Sequence, residues 1–293
     1  MRTALLHAAH WYEAWVIFYL FAISAIYLVL SLTGLVDLLR RRYFRYDPLV
    51  ERTAEISSLM PPVSILAPAF NEASSVFQSV RAMLSLKYPE FEVIVINDGS
   101  KDDTLALLIQ EFHLYKSARY FDHTLGCRPI RAVYESMDPS PLVVIDKENG
   151  GKSDALNAGL NVARYPLVCG VDADSVLEEN ALLRAVRPFL YDPERVLAVG
   201  GIVRVANGCQ VTGGRVTGVG LPKSWIARFQ VVEYLRAFLG GRVAFSAYNC
   251  LVLISGAFGL FSKSALLAVG GYRTDTVGED MELVMRLHRW ARD

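Results

Sequence analysis

Two aspartates one residue apart, Asp172 and Asp174, interrupt the apolar stretch LVCGVDADSVLEEN between Leu167 and Asn180. The run before them is short, partly β-branched and followed by turn residues, which reads as a buried strand of a parallel sheet. Side chains two apart on an extended chain point to the same side, so Asp172 and Asp174 converge while Ala173 turns away. Such a pair repels unless a cation or proton intervenes, and a hard divalent ion typically takes one or two carboxylates together with substrate phosphates. The competing role is helix capping by Asp174 or Ser175, ahead of a helix expected near Glu178.

Further along the same reasoning lie a lysine and a second acidic pair. In KENGGKSDALNAGL (Lys147 to Leu160) a phosphate loop would need a glycine five places before Gly151, where the chain has Asp146. What remains is a glycine pair presenting Lys152 near a helix N-terminus, a setting for an anionic substrate, or else a solvated lysine after a tight turn. No G-x-G-x-x-G occurs, which counts against a dehydrogenase. In TVGEDMELVMRLHRW, Glu279 and Asp280 open a helix, either as capping acids or as a source of the base that takes a proton from an attacking hydroxyl.

These groups need a scaffold, and the chain alternates in the right way. Strands are expected over 62–70, 91–98, 141–146 and 167–171, with helices over 74–86, 102–115 and 153–163 between them. Alternation of this kind implies an α/β fold with a mainly parallel sheet covered on both faces, binding ligands outside the C-terminal strand edges. Asn71-Glu72 and Asn97-Asp98-Gly99-Ser100 end two of the strands. Singly these are turn signals, but together with Asp172 and Asp174 they line one polar rim.

The N-terminal part is of another kind. No charged residue occurs from Ala14 to Val36, and about 20 apolar residues suffice to cross a bilayer. Trp11, Tyr12 and Trp15 stand at one end as interface anchors; RRRYFR (Arg40 to Arg45) stands at the other. The run is too long for a signal peptide and its basic cluster follows it, so a retained single-pass anchor is expected, with everything beyond Arg40 in the cytosol and the plasma (inner) membrane as its location. The expected organisation is thus an anchor over 1–45, a linker over 46–61 ending in Pro61-Pro62, and a catalytic domain over 62–293.

A second uncharged stretch, Val243 to Ser262, is diluted by Ser246, Asn249 and Ser255 and reads as buried strand and turn. Residues 223–241 have helical spacing, with Trp225, Phe229, Val232, Leu235 and Leu239 suiting either core packing or a helix lying in the membrane interface. The net charge is zero without a long basic block, which argues against a nucleic-acid partner. Cys127, Cys169, Cys209 and Cys250 form no C-x-x-C pair and read as reduced core residues.

Taken in order, PAFNE, VINDGS, GGKSDALNAG, VDADS, SGAFGLF and GEDMEL resemble the family 2 glycosyltransferases of the inverting type. The likeness is to the membrane-bound processive members: cellulose, chitin, hyaluronan and poly-N-acetylglucosamine synthases. The resemblance covers Pro62 to Arg289. It implies a GT-A (Rossmann-like, nucleotide-sugar-binding) fold, a UDP-sugar donor, a carbohydrate or lipid-linked acceptor, Mg²⁺ or Mn²⁺, and a part in extracellular polysaccharide synthesis. By matching motifs it implies nucleotide contacts for Glu72 and Asp98, with Asp98 reading the base. Donor phosphate falls to Lys152, nucleotide and metal to Asp172 and Asp174, and the general base to Asp280. Processive members also carry Gln-x-x-Arg-Trp further on; RLHRW (Arg286 to Trp290) has arginine for glutamine and follows Asp280 too closely. A shortened chain, or a partner subunit supplying the rest, is the expectation, and a catalytically impaired donor-binding module is the alternative function.

Overall fold

The computed structural model describes residues 2–43, 60–173, 175–212 and 215–292. They divide into two compact units, one holding the N-terminal helix with Gln230–Leu251, the other holding the remainder. The expected linker lies mostly outside the described residues.

In the first unit, helix α1 runs over Arg2–Tyr43. Among the described residues it is the one helix long and apolar enough to cross a membrane. Phe18, Phe21, Leu28 and Leu32 on its surface are more than half exposed. Its hydroxyls turn inward: Ser31 donates to the Tyr27 carbonyl at 2.7 Å and Thr33 to the Val29 carbonyl at 2.9 Å. Such back-bonding satisfies a hydroxyl where water is scarce.

The second unit is built on an eight-stranded sheet. Along the chain come β1 (Val63–Ala69), α2 (Val76–Leu84), β2 (Phe91–Asp98), α3 (Thr104–Glu111), β3 (Leu114–Ser117), β4 (Ile130–Ser136) and β5 (Leu142–Lys147). Then follow α4 (Lys152–Val162), β6 (Leu167–Val171), α5 (Ala181–Tyr191), β7 (Ala198–Gly200), and a small hairpin of β8 (Gln210–Thr212) and β9 (Arg215–Gly218). Helix α6 (Trp225–Leu235), which from Gln230 onward belongs to the first unit, continues through a π-helical turn, Arg236–Arg242, into α7 (Val243–Ala247) of that unit. The chain then enters β10 (Phe258–Ser262), α8 (Lys263–Ala268) and α9 (Glu279–Trp290).

The sheet order is β3-β4-β5-β2-β1-β6-β10-β7. Its centre, β5-β2-β1-β6, is parallel, as the alternating pattern requires. Ile65, Leu66, Ile94, Ile96 and Ile145 are wholly buried there, each such side chain contributing roughly 1.5–3 kcal/mol. The flanks correct the expectation of a mainly parallel sheet: β3, β4, β10 and β7 all pair antiparallel. Leu114–Ser117, expected as the end of a helix, is an edge strand, because tertiary pairing with β4 outweighs local helical preference. The loop beyond it is fastened by Arg119, which donates to Glu92 at 2.7 Å in a nearly fully buried ion pair and to the Val162 carbonyl at 3.0 Å.

Two other expectations change. Core packing of Trp225, Phe229 and Val232 does not occur, since they are 70%, 71% and 63% exposed and α6 buries none of its residues. Of the four cysteines, Cys169 alone is buried, and Cys250 is exposed.

Candidate active site

Four parallel strands deliver their C-terminal ends to one rim, and β10 brings a fifth element there in reverse. Because β10 runs antiparallel to β6 with Phe258 opposite Val171, the turn that enters β10, Ser255-Gly256, lies beside the exit of β6, where Asp172 stands. Register thus joins residues 84 positions apart in sequence (172 and 256).

The first two rim loops are stitched together by the polar residues that resembled turn signals. Asn71 accepts from the Lys101 amide at 2.9 Å, and its own amide donates to Ser100 Oγ at 3.0 Å. The Glu72 amide donates to Thr104 Oγ1 at 3.0 Å, while the Ser75 hydroxyl donates to Glu72 Oε2 at 2.5 Å. Glu72 is therefore on the rim and half-buried, but it makes no bond to Lys152, Asp172 or Asp280.

Asp98, to which the family resemblance assigns the base of the donor, is held by groups of the chain itself. It is 3% exposed, and its carboxylate accepts from the Gly150 amide at 3.0 Å, the Gly151 amide at 2.8 Å and Lys147 Nζ at 2.6 Å. Its carboxylate is directed inward and consumed in shaping the glycine loop. Lys147 is wholly buried and also meets Asp154 at 2.6 Å, whose carboxylate accepts in turn from the Arg128 amide. One ammonium between two carboxylates, with three amides supplying further donors, lets all these charges stay inside.

That clamp explains the glycine pair. A side chain at Gly150 would strike the Asp154 carboxylate, at 2.4 Å from Oδ1, and Gly151 has φ +88°, which L side chains rarely adopt. Gly151 then serves as the N-cap of α4, so that Lys152 is the first helical residue. The rest of α4 is locked by two asparagines. Asn157 exchanges hydrogen bonds of 2.8 Å with the backbone of Tyr272, and Asn161 does the same with Leu125 at 2.9 and 2.8 Å.

Lys152 Nζ donates to Asp172 Oδ1 at 2.5 Å, with both side chains about one-third exposed. Burial pulls the ammonium's pKa down, but the hydrogen bond to Asp172 and the charges of Asp172, Asp280 and Glu279 outweigh it and hold it above the usual lysine value. Ala173 is buried in the core, as the alternation of side chains requires. Asp174 lies outside the described residues.

Asp280 stands in the first turn of α9, which starts after Gly278. Its Oδ2 accepts from the Gly256 amide at 2.9 Å, leaving Oδ1 open. A side chain at Gly256 would displace both groups: a Cβ would lie 2.7 Å from Asp280 Oδ2 and 2.7 Å from Lys152 Nζ. Burial raises the Asp280 pKa above the usual carboxylate range; Glu279 and Asp172 add to this, against the opposing charge of Lys152 and the Gly256 amide. A carboxylate so tuned is a better proton acceptor than an ordinary one.

Lys152, Gly256 and Asp280 line a narrow cleft floored by Gly170, Val171 and Tyr272, with about 10 Å³ of room, enough for roughly one water. Tyr272 was not legible as a site residue. It is 6% exposed, and its hydroxyl passes 3.6 Å from where a Gly170 side chain would begin. The only sequence signal was the glycine pair before it, Gly270-Gly271, both at positive φ.

Asp172 suits a divalent ion on its own chemistry. It offers a carboxylate about one-third exposed that already draws a cation, the Lys152 ammonium, and it would hold Mg²⁺ or Mn²⁺ together with phosphate and water. Among the described residues no three acidic, histidine or cysteine side chains gather as a closed metal site.

Comparison with known proteins bears on this arrangement. The family model "Glycosyl transferase family 2" matches residues 64–216, and "Glycosyl transferase family group 2" matches residues 167–291. The chain is 31% identical over 226 residues to the poly-beta-1,6-N-acetyl-D-glucosamine synthase of Staphylococcus epidermidis, covering 77% of this chain and 45% of the relative. It is 28% identical over 227 residues to the synthase of the same name from Staphylococcus aureus, with the same coverage. The chain thus spans about half the length of the curated relatives it matches. In three dimensions it superposes on a mannosyltransferase of Pyrobaculum calidifontis, solved with GDP-Man and Mn²⁺, at a TM-score of 0.53 and 19% identity, over 91% of this chain and 61% of that one.

Proposed function

Because the chain belongs to glycosyl transferase family 2 and has the mixed α/β, GT-A-like fold of that family, we propose that it transfers a sugar from a UDP-sugar to an acceptor hydroxyl with inversion. The observation that carries this reading is that Lys152 and Asp280 line one cleft on either side of Gly256, while Lys152 is ion-paired to Asp172. The names of the Staphylococcus relatives make UDP-N-acetylglucosamine the first donor to test and an extracellular polysaccharide the first product class.

Asp280 accepts the proton of the acceptor hydroxyl on Oδ1, while the Gly256 amide holds Oδ2. As the acceptor oxygen forms its bond to the anomeric carbon, the bond from that carbon to the diphosphate breaks, and the configuration inverts. No covalent enzyme intermediate is needed. Lys152 offsets the negative charge growing on the departing diphosphate; groups aimed at developing charge commonly contribute about 3 kcal/mol or more. Bound Mg²⁺ or Mn²⁺, held by Asp172 and Asp174, would supply further charge neutralisation there. Glu72 at the rim would contact the nucleotide, and Asp98 would serve through the loop it shapes.

Helix α1 would anchor the chain in the plasma membrane as a single span, with the catalytic unit on the cytosolic side of Arg40. The acceptor would be a carbohydrate or lipid-linked chain.

The deciding measurement is transfer or donor hydrolysis by the purified chain with Mn²⁺. Asp280→Asn should lower turnover by about 10²–10⁴-fold with donor affinity kept. Donor affinity without turnover in the unmodified chain would instead mark a binding module.

A further inference from the structure

The stretch that follows α6 packs on α1 at a defined height, within the first unit. The Gly240 carbonyl approaches Gly34 so closely that a Cβ there would lie 2.9 Å from it. Thr33 Oγ1 and the Tyr248 hydroxyl are hydrogen-bonded at 3.2 Å, and the Arg236 guanidinium lies 5.4 Å from the centre of the Tyr27 ring. All three points of contact fall inside the uncharged run that ends at Val36. At ~1.5 Å per residue, Gly34 and Tyr27 stand ~5 and ~15 Å from Asp37 along the helix. That interval is the half of the ~30 Å hydrocarbon core on the Arg40 side. At the same height the remaining faces of α1 are open, with Leu28, Leu32 and Leu35 61%, 54% and 53% exposed.

We infer that the segment from Gln230 to Leu251 is immersed in the bilayer leaflet on the Arg40 side of α1, with acyl chains as the partner of its exposed apolar residues. This rests on the reading that α1 spans the membrane. A segment docked on a spanning helix at hydrocarbon height is itself at hydrocarbon height, and its chemistry meets the demands of that medium. The backbone is helical without a break from Trp225 to Ala247, so its amides and carbonyls are satisfied along the chain. Arg242 lies 3.9 Å from the Phe238 ring centre, and Tyr234 stacks on Phe238, so cations rest on aromatic faces. Val232, Leu235 and Phe245, at 63%, 42% and 38% exposure, project outward. The segment enters one leaflet and does not cross: its contacts with Tyr27, Thr33 and Gly34 all fall on the Arg40 side of α1, Glu233, Arg236 and Arg242 interrupt its apolar residues, and among the described residues α1 alone is long and apolar enough to span. The chain leaves it and reaches Gly256, the residue between Lys152 and Asp280, five positions after Leu251.

The test is depth-dependent quenching on the full chain in phosphatidylcholine–phosphatidylglycerol vesicles. Cys127, Cys209 and Cys250 are replaced by serine, and a nitrobenzoxadiazole label is attached at Phe245→Cys, at Val232→Cys, or at Phe21→Cys in mid-α1. Quenching at positions 245 and 232 should be at least about twofold stronger with nitroxide lipids labelled near the headgroup than with aqueous iodide. Phe21→Cys should respond most to nitroxides deep in the acyl chains. Iodide quenching at both 245 and 232, with lipid quenching at 21, overturns this inference and leaves the spanning reading intact. Iodide quenching at all three positions overturns both. A misfolded Phe245→Cys would not hide the answer, because Val232 is exposed and buries nothing when replaced.

Discussion

The residue that decides the most is Asp280, and its neighbours make its role testable by pH. The raised pKa means that the carboxylate form, the base in the mechanism we propose, is lost at a higher pH than for an ordinary carboxylate, so the acid limb of kcat/KM should lie above the usual aspartate range. Lys152 lowers and Glu279 raises this value. Lys152→Met should therefore move the limb to higher pH and Glu279→Gln to lower pH, a pair of opposite shifts that a bystander carboxylate would not show. In stability the sign is the same: the folded chain binds the Asp280 proton more tightly than the unfolded chain does. This contribution is full below the unfolded pKa and is lost as pH rises through the folded one. Gly256→Ala separates positioning from folding. The atoms it would strike are the ends of the Asp280 and Lys152 side chains, which can give way, so the melting temperature should change by less than about 3 °C. Displacing the base by about 1 Å should cost up to roughly 10²-fold in turnover.

At the scale of elements, the glycine loop between β5 and α4 depends on a lysine that never reaches the substrate. Lys147 is wholly buried between Asp98 and Asp154. Lys147→Met leaves two carboxylates unpaired in the interior and should destabilise the catalytic unit by about 3–5 kcal/mol in denaturant titrations. Asp98→Asn should also weaken the fold, because the Gly150 and Gly151 amides lose a charged acceptor. If Asp98→Asn left stability unchanged and abolished only donor binding, the base-reading role would return. The glycines were legible in the sequence as a turn before a helix. The clamp was not, since Asp98 and Lys147 meet only when β2 and β5 pair in register. The base-reading role of Asp98 came from the family resemblance, whereas its contacts with the glycine loop follow from the strand pairing.

For the whole molecule, donor binding should be readable as stability. A UDP-sugar with Mn²⁺ at about 100 times its Kd should stabilise the chain by about 2.7 kcal/mol, and a panel including UDP-N-acetylglucosamine and GDP-mannose would rank donors by thermal shift. Equal shifts for all, or none with any UDP-sugar, would remove the proposed donor class. The sequence by itself determined the long apolar N-terminal helix, the four central strands and the kinds of residue at their ends, because these follow from local periodicity and turn chemistry. It also placed a helix start within one residue of Lys152 and another at Glu279, each after glycine. Only the tertiary structure decided which carboxylate meets which partner. Strand register put Ser255-Gly256 beside Asp172, close packing on Gly256 joined Lys152 to Asp280, and burial raised the Asp280 pKa. Each of these depends on distances between residues far apart along the chain, which local patterns do not encode.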